Sequence, residues 1–98
     1  MEEKKILRLS LKKKWFDLIQ SGVKTEEYRE IKPYWYHRLH NKHFDCVEFT
    51  LGYPKKDDMS RRMMFNVKGI FIGEGVSELG APDGVNVYVI ALGERIEC

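Results

Sequence analysis

A phase change in the longest strand-like run constrains this fold more than any other feature. Between Arg62 and Ile72, Met63, Phe65 and Val67 share one parity, whereas Ile70 and Ile72 share the other, with Gly69 between them. Side chains of a strand alternate between its two faces, so a straight strand would leave one of these sets in water. A bulge or sharp bend at Gly69 keeps both sets facing one core. Bent strands of this kind curl a sheet, and curled sheets of short strands close into small barrels.

The neighbouring segments suit such a sheet. Ile6 to Leu11 alternates, with Leu7, Leu9 and Leu11 on one face, and reads as a strand. Leu11 to Ser21 is amphipathic, with Leu11, Trp15, Leu18 and Ile19 as its buried stripe. Ser10 would cap this helix, and Gly22 suits the left-handed position that closes it. Lys12, Lys13 and Lys14 then fall in the first turn, where the helix dipole disfavours cations. They read either as a solvated face or as a phosphate-facing patch. Within Ile31 to Lys42, Pro33 opens a short helix bearing Tyr34, Trp35, Tyr36 and Leu39.

Cys46 to Leu51 is a strand with Val47, Phe49 and Leu51 inward, and Gly52 to Ser60 is a polar loop. Gly73 to Gly84 is rich in turn residues. Val85 to Leu92 is apolar on both parities apart from Asn86, as in a strand buried on two faces. The order is strand, helix, strand, helix, then three strands. It predicts an α+β class: a small mixed β-barrel of five or six strands with two or three short helices.

Residues 1–98 read as a single domain whose 43% apolar content supports one small core. No apolar run approaches the roughly 20 residues of a membrane helix, so no membrane partner is expected. Met-Glu-Glu-Lys-Lys at the start lacks a signal peptide's apolar stretch, and a cytoplasmic location follows as the expectation. Cys46 and Cys98 are then expected to be reduced. Net charge is +2, but unevenly spread: residues 1–43 carry 11 Lys and Arg against 6 Asp and Glu, whereas residues 44–98 carry 6 against 9. An anionic ligand is compatible with that asymmetry.

The run from Gly22 to Glu30 conflicts with its place in the chain. It follows a helix and a glycine, where a strand should start, yet it carries Lys24, Glu26, Glu27, Arg29 and Glu30 and almost no apolar face. Such conflicts between local pattern and fold tend to mark functional sites. The plainer reading is a solvated edge strand laced with cross-strand ion pairs.

At Gly22, Lys24, Thr25, Glu27 and Arg29 the chain resembles the ASCH domain family of the PUA-like superfamily. The resemblance extends upstream to Leu9-Ser10-Leu11 and Trp15. Downstream it reaches Gly73-Glu74-Gly75, Gly80-Ala81-Pro82 and the strand from Val87 to Gly93. It implies a PUA-like barrel with a cleft beside the first helix, lined by the charged strand. It implies binding of RNA or a modified nucleoside, with Ser10, Lys12, Lys24, Thr25, Glu27, Tyr28, Arg29 and Trp35 as the contact residues. Some small ASCH members are amidohydrolases that deacetylate N4-acetylcytidine, and Lys24 with Glu27 would be the catalytic pair of such an enzyme. In those hydrolases the lysine works with a threonine three positions on and with a later glutamate. Here that third position is Glu27, Thr25 is displaced from it, and only the turn around Glu74 and Glu78 offers a later acid.

Independently of the resemblance, Lys24 needs a depressed pKa to act as base or nucleophile. Arg29 would push it down and Glu27 up. Tyr28, Tyr34, Trp35 and Tyr36 offer π-faces on which a base could stack, with at least two of them expected in the core. His37, His40 and His43 recur every third residue, a spacing that drifts around a helix, so no metal is expected. The glycines at 73 and 75 precede no helix and are turn residues rather than a phosphate loop. No cofactor is expected.

Overall fold

The computed structural model describes residues 3–97. Strand β1 (Ile6–Leu11) leads into helix α1 (Lys13–Gln20), and β2 (Glu26–Arg29) into helix α2 (Pro33–Leu39). Three strands follow: β3 (Cys46–Leu51), β4 (Arg62–Glu74) and β5 (Asn86–Ile96), with short 3-10 turns at Met59–Arg61 and Ser77–Leu79. The strands form one sheet in the order β1-β3-β4-β5-β2, in which β1 and β3 are parallel and the other pairs antiparallel. This is a small α+β domain built as a curled half-barrel with two helices.

The bend sits where the phase change demands it. Pairing of β4 with β5 slips between Phe65 and Val67 and again between Val67 and Gly69. Met63 and Phe65 are buried before the slip, and Ile70 packs against the same core after it. Ile72, expected to follow Ile70 inward, is instead 46% exposed, although its partner Tyr88 on β5 belongs to the core.

The principal core gathers Leu7, Leu9 and Leu11 of β1, Val47 and Phe49 of β3, Phe16 and Ile19 of α1 and Leu39 of α2. From β5 come Tyr88, Ile90 and Leu92. The other parity of β5, Val87 and Val89, packs with Tyr28 and Ala81 in a second, smaller cluster. That strand is therefore buried on both faces, as its sequence requires, because the turn-rich segment folds back over its outer side. β5 also runs longer than expected, to Ile96, since Met64 and Phe65 still pair with Ile96 and Arg95. Val85 lies outside the strand and is exposed.

Helix α1 corrects two expectations. Pairing of β1 with β3 continues through Leu11, so Ser10 lies within the strand and Lys12 takes the capping position, with no side-chain cap bond. The helix starting later, Phe16 and Ile19 face the sheet, while Trp15 and Leu18 are only half-buried. Gly22 closes the segment at φ 87°, the left-handed conformation foreseen for it. Cys46 is buried and unpaired, and Cys98 lies outside the described residues. His40 stacks on Tyr36 and bonds the Tyr88 hydroxyl, and His43 bonds Asp45. No helix among the described residues is long and apolar enough to cross a membrane.

Candidate functional site

β1 and β2 are the two edges of the sheet, and its curl brings them towards each other without strand pairing. A side chain bridges them: Arg29 Nη2 of β2 donates to the Ser10 carbonyl of β1 at 3.2 Å. At this seam lies a cleft of about 1370 Å³, lined by residues of both edges, of α1 and of the Ser77–Val87 segment. Charged β2 thus occupies an edge, as the plain reading required, and also forms one wall of this cleft.

The charges of β2 are ordered along an internal chain. Lys24 is only 2% exposed, and its ammonium lies 3.3 Å from Glu27 Oε1 and donates to the Leu79 carbonyl. The same nitrogen sits over the rings of Trp15 and Tyr28, at 4.6 and 4.7 Å from their centroids. Glu27 in turn accepts from Arg29 through Oε2, at 3.0 Å from Nε and 2.6 Å from Nη2. The Arg29 guanidinium lies against Trp35, 4.9 Å from the ring centroid. Burial is the largest influence on Lys24 and holds its pKa below the usual lysine value, with Glu27 opposing and Arg29 reinforcing the shift.

Tyr28 is held from both sides. Its hydroxyl donates to Glu26 Oε1 at 2.8 Å and accepts from the Val76 amide at 3.2 Å. Burial raises its pKa above that of an ordinary phenol. Gly75 makes this packing possible, since a Cβ there would stand 2.5 Å from the Tyr28 ring and 2.6 Å from Ala81 Cβ.

Six of the eight contact residues inferred from sequence line this cleft: Ser10, Lys12, Glu27, Tyr28, Arg29 and Trp35. Lys24 and Thr25 do not. Lys24 lies behind Glu27 and two aromatic rings, and it positions the carboxylate rather than facing the opening. Thr25 is exposed, and its carbonyl accepts from the Leu92 amide at the sheet edge. Neither half of the Lys24–Glu27 pair is free: a carboxylate offers about four lone-pair sites, and one nitrogen of Lys24 and two of Arg29 take three of them. One acceptor position remains, on Oε1.

Sequence reasoning missed Tyr53. It is 95% exposed, stands between Gly52 and Pro54 in the polar loop, and lines the cleft. An aromatic residue flanked by turn formers in a polar loop was the available signal. Also missed was a second cavity of about 540 Å³ that shares Ser10, Arg29, Trp35 and Tyr53 with the first. No group of metal-ligating side chains occurs among the described residues. No protein-family model, curated protein or solved structure matches this chain.

Proposed function

We propose that this chain is an ASCH-type, PUA-like domain that binds RNA or a modified nucleoside through the cleft at the seam. The observation that carries the reading is the Glu27 carboxylate, nearly buried in the cleft wall and fixed by Lys24 and Arg29, with one acceptor position left. A carboxylate so held is suited to an N–H donor on the edge of a base. Beside it, the exposed ring of Tyr53 supplies a π-face able to contribute about 1–3 kcal/mol by stacking on a base of any sequence, while Trp15 and Trp35 line the cleft with their rings already against Lys24 and Arg29. Lys12 and Lys14 at the rim suit a polyanionic backbone.

Titrating the labelled domain with cytidine, N4-acetylcytidine and a short single-stranded RNA, and following backbone resonances by NMR, tests this reading. Shifts should cluster on residues 10–15, 27–35 and 53. Glu27→Gln should weaken nucleoside binding about 10- to 100-fold, the range expected for a hydrogen bond to a charged group. Binding unchanged by this variant, in a protein whose circular dichroism is intact, would remove the base-edge role of Glu27. The alternative, an amidohydrolase using Lys24 and Glu27, has less support because neither Lys24, packed against the rings of Trp15 and Tyr28, nor Thr25 lines the cleft. Acetate released from N4-acetylcytidine by the wild type, and lost in Lys24→Met, would replace binding with hydrolysis.

A further inference from the structure

The second cavity is lined by Arg8, Arg29, Arg38 and Arg62, against Glu48 as its one lining carboxylate. Glu48 Oε1 is shared between Arg8 Nε at 3.6 Å and Arg62 Nη1 at 3.4 Å. Arg29 is satisfied by Glu27 in the adjoining cleft. Arg38 pairs with no carboxylate among the described residues; it bonds the Tyr34 hydroxyl and the Arg8 carbonyl, and its guanidinium lies 5.3 Å from the Trp35 centroid. Arg62 also donates to the Pro54 and Lys55 carbonyls, yet its Nε is buried without a partner. Clustered guanidiniums repel one another and persist where an anion offsets them, and their forked N–H groups match the geometry of phosphate oxygens.

We propose that this basin is a phosphate subsite, and that the ligand of the molecule is a nucleotide whose base enters the cleft at Glu27 while its phosphate meets Arg8 and Arg38. The inference rests on the base-binding reading above and names its substrate class. Trp35 joins the two halves, since it lines both cavities and the guanidiniums of Arg29 and Arg38 lie 4.9 and 5.3 Å from its ring centroid. Ser10, Arg29, Trp35 and Tyr53 line both cavities, so the two adjoin and are close enough for one ligand to reach both. A free nucleotide monoester and a phosphodiester within RNA share this chemistry and differ in charge and chain continuity.

Calorimetry with cytidine, cytidine 5′-monophosphate, the dinucleotide cytidylyl-cytidine and inorganic phosphate, on the wild type and on Arg38→Gln, tests the proposal. Arg38 holds no carboxylate, so its replacement leaves the internal ion pairs in place. The monophosphate should bind about tenfold more tightly than cytidine in the wild type, and the advantage should shrink to about twofold or less in Arg38→Gln. A larger gain for the dinucleotide than for the monophosphate assigns the subsite to RNA, and the reverse assigns it to free nucleotides. Equal affinity for cytidine and its monophosphate overturns the subsite and leaves the cleft reading standing. Phosphate and monophosphate binding that depends on Arg38, with no cytidine binding, supports the subsite and overturns the base reading instead. No binding of phosphate or of either phosphorylated ligand overturns the proposal.

Discussion

Lys24 illustrates how far a single residue can be read. Its place after a helix-closing glycine and among charges marks it as unusual in the sequence alone. Which side of the wall its ammonium occupies depends on Trp15 and on the Leu79 carbonyl, 55 residues along the chain, and no local pattern encodes that contact. Removing one member of a buried ion pair costs about 3–5 kcal/mol, and Lys24→Met should fall at the lower end because Arg29 still holds Glu27. The cost should depend on pH with a definite sign. Because the folded pKa of Lys24 is lowered, the native state releases its proton before the unfolded chain does, so stability gained through Lys24 rises as pH climbs from the folded value towards 10.5. Urea titrations of both proteins from pH 7 to 10 should therefore show the gap widening in favour of the wild type. Gly75→Ala should cost about 1–3 kcal/mol through the clash with Tyr28 and Ala81, visible as a lower urea midpoint at unchanged slope.

Among the elements, β4 and α1 show opposite degrees of legibility. The parity switch in β4 located the bend, since burial on one face is a strict constraint with period two, and the register slips fall within a few residues of Gly69. The residue itself is less critical than the pattern suggested. Gly69 adopts no left-handed conformation and has open space where a Cβ would stand, so Gly69→Ala should change the unfolding free energy by no more than about 0.5 kcal/mol. The bend is carried by the pairing with β5 instead. In α1 the helical periodicity was plain, yet its phase was misjudged, because β1 holds Ser10 and Leu11 in the ladder and delays the first turn. The buried residue is Phe16, and Phe16→Ala should cost about 3–5 kcal/mol in the same urea assay.

For the whole molecule, the uneven charge of the sequence becomes a position. Arg8, Arg29 and Arg38 come from the basic half and Arg62 from the other; pairing of β1, β3 and β4 sets Arg8 and Arg62 on either side of Glu48, and the curl of the sheet brings Arg29 of the far edge to them. Their sequence separation is why the cleft residues near Gly22 to Arg29 were legible and the basin was not. RNA affinity should fall as salt is raised, and Arg38→Gln should reduce the slope of log K against log salt by about one. The same seam has a second consequence. A half-barrel leaves two strand edges bare, and bare edges recruit further strands from other molecules. Here β2 is four residues long and charged, and on β1 the Arg8 and Ser10 carbonyls are occupied by the guanidiniums of Arg38 and Arg29. The arginines proposed to meet an anion thus also occupy two edge carbonyls that a strand from another copy would need.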